Sequence, residues 1–379
     1  MTAPTPQKGK DARSLWYDHE AGVVSTIDQT LLPHEFRILS LSGLHDVCEA
    51  IRSMRVRGAP LIGITAAFGL ALALREDSSR EGEDYATAAL LATRPTAVNL
   101  AWALSRVRGA IAQVGADERA ERALAEAQAI LAREIDVCSR IGDHGVGLIL
   151  DKWNYKTERS PGAQRLYVLT HCNAGWLATG GWGTALAPVY KAHAAGIPVH
   201  VWVDETRPRS QGATLTAWEL GRAGVPHTVI ADTAAGHVLQ RGQVDLCFVG
   251  SDRTTARGDV CNKIGTYMVA LAAHDNGVPF YPCVPTSSID WSMSDGVAEI
   301  PIEQRDPGEV TDVRGLAPDG KAGAVRILPS GSHAANFAFD VTPARLVSGI
   351  VTERGIFSAD TASLSVLRAQ LEREESHAG

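Results

Sequence analysis

The chain has 379 residues, 45% hydrophobic and 21% charged, which is too long for one ordinary core and suits a globular protein of two domains. Its net charge of -7 argues against a nucleic-acid partner, and no apolar run reaches the ~20 residues that a membrane helix needs. Six scattered cysteines (Cys48, Cys138, Cys172, Cys247, Cys261 and Cys283) form no Cys-x-x-Cys pair, so they suggest neither a zinc site nor a disulfide framework and fit a reducing cytoplasm.

Residues 1–13 are polar, lack the apolar stretch of a secretory signal and read as a flexible tail. Short strands follow at 15–17, 23–27 and 36–39, with Gly22 and Pro33 in the turns between them. Ser42 is placed to cap a helix over 44–54. The loop Arg55-Val56-Arg57-Gly58 leads into a second helix that begins at Ala59-Pro60, where proline suits the first turn, and runs to about Leu74. An amphipathic helix is expected over 117–141. Leu124, Ala127, Leu131, Ile135 and Cys138 make its apolar face, and Arg119, Glu121, Arg122, Glu126 and Arg133 its wet side. Residues 14–155 therefore read as a mostly helical domain with a small antiparallel sheet. The polar stretch 151–163, ending in Ser160-Pro161-Gly162, marks the boundary.

In 156–370, strands at 166–170, 199–203, 227–230, 245–249 and 280–284 alternate with helices near 182–195, 213–223, 234–241 and 261–275. That order predicts an α/β fold with a doubly wound, Rossmann-like parallel sheet. Residues 291–330 break the alternation and read as an excursion over the sheet edge; 371–379 read as a frayed end.

Parallel strands share their carboxyl edge, where open α/β sheets bind ligands. Cys172 follows the first of these strands and Asp252 the fourth. A thiol there is placed for chemistry, and the position equally suits a structural cysteine. Val249-Gly250-Ser251-Asp252 through Lys263 reads as a strand end passing into a helix start, with Lys263 in the first turn as part of an anion site. Arg57-Gly58-Ala59-Pro60 and Arg94-Pro95-Thr96 are two further arginines before helix starts. Together they point to one phosphorylated small molecule. Glu205 and Gln211, after the second strand, are placed to reach ligand hydroxyls or to pair within a polar loop. Gly180-Gly181-Trp182-Gly183 stands too far from its strand for a dinucleotide fingerprint, and Leu186 occupies the third glycine position, so no nicotinamide or flavin cofactor is expected. No metal-ligand cluster stands out either.

Read together, Arg57-Gly58-Ala59-Pro60, Arg94-Pro95-Thr96-Ala97-Val98-Asn99-Leu100, Thr170-His171-Cys172-Asn173-Ala174-Gly175, Asp204-Glu205-Thr206-Arg207-Pro208, Gln211-Gly212-Ala213, Gly258-Asp259-Val260, Asn262-Lys263-Ile264-Gly265-Thr266-Tyr267 and Phe339-Asp340-Val341-Thr342-Pro343 resemble one family. It is the 5-methylthioribose-1-phosphate isomerase family, in a wider group that includes regulatory subunits of the translation initiation exchange factor. The resemblance spans about residues 25–355. It implies a cytoplasmic, homodimeric aldose–ketose isomerase of methionine salvage that needs no metal or cofactor, with Cys172 and Asp252 catalytic. Arg57, Gly58, Ala59, Arg94, Gln211, Asn262 and Lys263 would bind the substrate. Related readings are an isomerase for 5-deoxyribose 1-phosphate or ribose 1,5-bisphosphate, and a regulatory subunit without catalysis. Asn336-Phe337, Trp182 and Cys261 depart from the family's usual residues, and none stands at a catalytic position.

Overall fold

The structure, a computed structural model, describes residues 12–95 and 97–378. Most of the expected N-terminal tail, Thr96 of the second arginine motif and Gly379 lie outside the described residues. The chain divides into two compact units. The first ends at Ser139 but also takes in Ala174–Gly183; the second holds Arg140–Asn173 and Thr184 onward.

In the first unit, β1 (Leu15–Asp18), β2 (Val23–Ile27) and β3 (Ile38–Leu41) form an antiparallel sheet. The third strand starts two residues later than expected. Helices α1 (Leu44–Arg52), α2 (Ala59–Glu76), α3 (Arg80–Leu91) and α4 (Val98–Ile111) follow. Ser42 lies one residue outside the N-cap, which is Gly43; its hydroxyl and backbone N–H both donate to Asp46 in the first turn of α1. By length and composition α2 could cross a membrane. Here every residue from Leu61 to Leu74 is buried, because α1, α3 and α4 surround it and leave no wet face. Each large apolar side chain so buried contributes ~1.5–3 kcal/mol.

Helix α5 runs from Arg119 to Arg159, well past the expected end at 141, and contributes to both units. Residues 151–159 are therefore its last turns and not a linker, and the compact units part at 139/140 instead of 155/156. Lys156 on this segment donates to Asp245 at 2.6 Å, so a solvated helical face had the composition of a loop. Arg119 is not on a wet side: it is buried and paired with buried Glu83.

The second unit continues with β4 (Leu166–His171), α6 (Ala187–Ala194), β5 (Val199–Asp204), α7 (Ala217–Ala223), β6 (His227–Ile230), α8 (Ala234–Gln240), β7 (Leu246–Val249), β8 (Arg253–Thr255), β9 (Val260–Lys263), α9 (Thr266–Asp275) and β10 (Phe280–Pro282). The parallel sheet has the order β10-β7-β4-β5-β6, as the βαβ alternation predicts. The expected helix over 261–275 is corrected. Its first residues form β9, which pairs antiparallel with β8 and with the later β14 (Phe339–Thr342), so Asn262 and Lys263 lie on a strand. The helix begins only after Gly265. It buries Thr266, Val269, Ala270 and Ala273, while Met268 is exposed.

Residues 291–330 follow β11 (Ile289–Asp290) and carry α10 (Gly296–Glu299), α11 (Gly308–Thr311) and an exposed hairpin of β12 (Asp312–Leu316) with β13 (Ala322–Arg326). An ion-pair network ties this stretch down. The Glu309 carboxylate accepts from Arg305 at 2.9 and 3.1 Å, from Arg209 at 3.1 Å and from Asn336 at 2.8 Å. Burial pushes the Glu309 pKa up, but Arg305, Asn336 and Arg209 outweigh it and hold the pKa at about 2. A depressed carboxylate stabilises the fold above its ordinary 4.5, and that stability is lost as pH falls from there towards 2. Glu309→Gln should therefore flatten acid unfolding in this window, measured by circular dichroism against pH; an unchanged acid limb would remove Glu309 as its source. The chain closes with β15 (Ile350–Thr352), β16 (Gly355–Phe357) and α12 (Thr361–Ala378), so the end expected to fray is helical through 378.

Candidate active site

The registers of the parallel sheet place the site. Thr170 pairs with Val203 and His171 with Val249, so Cys172, the loop 205–211 and the loop 250–252 all leave the sheet at one edge. Cys172 is 9% exposed and takes a left-handed conformation, φ 65°, unusual for a residue with a Cβ. Its N–H donates to Thr206 Oγ1 at 2.9 Å, and its carbonyl accepts from Thr216 Oγ1 at 2.7 Å. Thr206 and Ser210 are left-handed as well, φ 61° and 62°. Backbone strain of this kind gathers at functional sites.

Behind Cys172 lies a buried polar network. Asn173 Nδ2 donates to Glu219 Oε1 at 2.9 Å, and Tyr190 donates to Glu219 Oε2 at 2.9 Å. Glu219 stands just beyond a π-helical turn, Gly212–Thr216, an irregularity often found at functional sites. A Cβ on Gly212 would lie 1.8 Å from the Asp204 carbonyl, so only glycine lets the turn come this close. Gln211, which enters the turn, is 4% exposed and its Oε1 has no hydrogen-bond partner among the described residues. A buried, unsatisfied amide oxygen of this kind is suited to a ligand donor.

Asp252 is half-buried in the loop after β7, and its N–H donates to the Cys261 carbonyl at 2.9 Å. Asn262 donates to Thr266 Oγ1 at 3.0 Å. Lys263 is buried, donates to the Ala338 carbonyl at 2.7 Å and lies over the Phe339 ring at 4.5 Å. The helix-start anion site drawn from sequence is thus absent in that form, since the lysine stands at the end of strand β9. Glu205 is half-buried; burial, with Asp232 and Asp204 nearby, raises its pKa. Burial also raises the pKa of Cys247, Cys261 and Cys283, which suits thiols acting as apolar filler; none of the six cysteines is in a disulfide.

In the first unit, Arg57 is buried and Gly58, φ 95°, precedes α2 with Pro60 in its first turn. A Cβ on Gly58 would sit 2.6 Å from the Ala178 carbonyl. Arg94 lies in the turn before α4.

Sequence reasoning missed the group around His171. Its Nδ1 lies 2.7 Å from Asp204 Oδ2 and its Nε2 2.8 Å from the Ile264 carbonyl. Asp232 accepts the backbone N–H groups of Thr206 and Arg207 at 2.6 and 2.7 Å. The ligand atoms of these three side chains fall within 4.8 Å of one another, a spacing that could hold a metal ion, yet both ring nitrogens and both Asp232 oxygens are already committed to protein partners. A signal was available: His171 and Asp204 each stand one residue past the paired Thr170 and Val203 on neighbouring parallel strands.

The chain matches the Initiation factor 2 subunit family over residues 55–359. It is 58% identical over 360 residues to the methylthioribose-1-phosphate isomerase of Rhodospirillum rubrum, covering 95% of this chain and 92% of that one. With the enzyme of the same name from Methylobacterium nodulans it shares 55% over 367 residues, 97% and 98% of the two chains. Among solved structures it resembles 5-methylthioribose 1-phosphate isomerase from Pyrococcus horikoshii, with TM-score 0.81, 39% identity and 97% and 98% coverage. It also resembles a structure described as translation initiation factor eIF-2B, subunit delta, from A. fulgidus, with TM-score 0.74, 34% identity and 91% and 96% coverage. The chain belongs to the methylthioribose-1-phosphate isomerase family, within the broader Initiation factor 2 subunit family.

Proposed function

We propose that this chain is an aldose–ketose isomerase that converts 5-methylthioribose 1-phosphate to 5-methylthioribulose 1-phosphate in methionine salvage. The observation that carries this reading is the 58% identity, over nearly the whole chain, with a relative of that name. Phosphate on the anomeric oxygen prevents the sugar from opening as an ordinary hemiacetal. The ring oxygen must gain a proton as its bond to C1 breaks. Hydrogen then passes from C2 to C1, and the C2 hydroxyl gives up its proton as the carbonyl forms. One proton is delivered and one is removed, so the reaction needs groups that exchange protons and no redox partner. We assign Asp252 as the acid–base and Cys172 as the second catalytic group. Arg57, Gly58, Ala59, Arg94, Gln211, Asn262 and Lys263 are assigned to the substrate. The buried lysine on β9 and the unsatisfied Gln211 oxygen support this assignment. From the family resemblance we further infer a cytoplasmic homodimer.

The direct test is a substrate panel with purified protein, following ketose formation from 5-methylthioribose 1-phosphate, 5-deoxyribose 1-phosphate and ribose 1,5-bisphosphate. The first should be turned over with the highest kcat/KM. Preference for either of the others would move the reading to a sister isomerase. No turnover of any would favour the regulatory reading, to which the 34% identity with the A. fulgidus protein lends support.

Changing Arg57, Arg94 or Lys263 to Ala should weaken ground-state binding by ~1.5–3 kcal/mol, the range for hydrogen bonds to charged groups. Calorimetric titration with the phosphorylated sugar measures it. A loss below about 0.5 kcal/mol at any one position would take that residue out of the phosphate site.

A further inference from the structure

We propose that His171 is a positioning residue for the reaction, an imidazolium that locks the backbone carrying Cys172 to the backbone carrying Asn262 and Lys263. The role in turnover rests on the isomerase reading; the charge on the ring does not.

The geometry requires two ring protons. A backbone carbonyl has no proton to give, so the 2.8 Å bond to Ile264 must be donated by Nε2–H. The other nitrogen faces Asp204 Oδ2 at 2.7 Å. The Thr206 hydroxyl donates to Asp204 Oδ1 at 2.9 Å, which marks that oxygen as an acceptor. One proton therefore lies between Nδ1 and Oδ2. An imidazole is intrinsically a stronger base than a carboxylate, so the proton stays on the ring. Both partners are 1% exposed, and no bulk water competes for these bonds.

The surroundings favour the cation. Three acidic groups bear on the ring from three elements: Asp204 at the end of β5, Asp232 after β6, and Asp340 on β14. Lys263 on β9 is the opposing charge, and it lies near Asp340. Burial alone would pull the His171 pKa down; the Asp204 charge and hydrogen bond, with Asp232, leave it raised. Asp340 itself accepts the N–H groups of Gly265 and Tyr267 at 2.7 and 3.1 Å, fixing the turn that presents the Ile264 carbonyl.

The ring then acts in two directions. Through Ile264 it holds the end of β9, directly after Asn262 and Lys263. Through Asp204 it orients Thr206, whose Oγ1 accepts the Cys172 N–H and so sustains the left-handed backbone there. A neutral ring keeps only one N–H, so loss of the charge would release one of the two ends.

The test uses the full-length protein labelled with 15N-histidine. At pH 7.5 an ordinary histidine would be about 90% neutral. His171, assigned by its disappearance in His171→Gln, should instead show two protonated ring nitrogens in the wild type. Asp204→Asn should return the ring to the neutral form at the same pH. One unprotonated nitrogen in the wild-type spectrum would overturn the charged state, whether or not either variant folds. In the same preparations, His171→Gln should lower kcat at least ~10-fold with KM changed less than ~3-fold, the pattern of a misplaced catalytic group rather than a lost substrate contact. Wild-type kcat in a folded His171→Gln protein would overturn the positioning role. If wild-type protein shows no isomerisation, the functional reading has failed, and the spectrum still decides the charge.

Discussion

Cys172→Ser and Asp252→Asn should each cut turnover by at least ~10²-fold, about 2.7 kcal/mol of transition-state stabilisation, with the fold intact. The fold should survive because each substitution nearly keeps the side chain's shape and leaves the backbone hydrogen bonds in place. Cys172 is held through its own N–H and carbonyl, to Thr206 and Thr216, and serine keeps both bonds. Asp252 is held through its N–H to Cys261, and asparagine is nearly isosteric. The chemistry should fail because asparagine has no acidic proton to deliver and a hydroxyl ionises far less readily than a thiol. Near-normal kcat in either variant, with an unchanged circular dichroism spectrum, removes that residue from the mechanism. The pH profile separates their roles. If the acid acts protonated, turnover is flat at lower pH and falls as pH rises. Should that limb vanish in the residual activity of Cys172→Ser, it belonged to the thiol and not to the carboxyl group.

The second large effect concerns stability. Glu83→Ala should destabilise the protein by ~3–5 kcal/mol, read from the urea midpoint or a lowered Tm. Glu83 is 1% exposed on α3, and its two oxygens face three guanidinium groups, of which exposed Arg80 stands off at 3.6 Å. Arg119, itself 3% exposed at the start of α5, donates to Oε2, and Arg108 donates to Oε1 at 2.7 Å. Removing the carboxylate leaves Arg119 charged, buried and without its counter-ion. Arg108 is far more exposed and can turn to water or Asp84, so its share is small. A measured cost under ~1 kcal/mol would mean that water reaches Arg119 once the carboxylate is gone.

Elements set by local periodicity were legible in the sequence. The five strands of the parallel sheet were found, as was the start of α2 at Ala59-Pro60, because runs such as Leu246-Cys247-Phe248-Val249 carry their own signal. Elements set by distant partners were not. β9 is a strand because Val260–Lys263 pairs with Phe339–Thr342, over 70 residues away, and its sequence also fits the approach to a helix. Arg119 reads as a surface residue in any helical pattern until Glu83 from α3 is placed against it. For the site, Cys172 and Asp252 could be put at one sheet edge from strand order alone. His171 carries no local signal of its own, since its partners, Asp204 and the Ile264 carbonyl, come from two other strand ends.

The first unit is not a continuous stretch of chain. Ala174–Gly183 belongs to it, the Leu177 carbonyl accepts the buried Gln29 amide at 2.6 Å, and Ala178 packs so close to Gly58 that a Cβ there would clash. During synthesis, then, the N-terminal half cannot close when its own helices have emerged. It waits until residue 183 is free of the ribosome, after β4 and Cys172 have been made, some seconds later at ~5–20 residues per second. Until then Gln29 and the surface beside Gly58 stand open, and it is in this interval that a nascent chain needs protection from association.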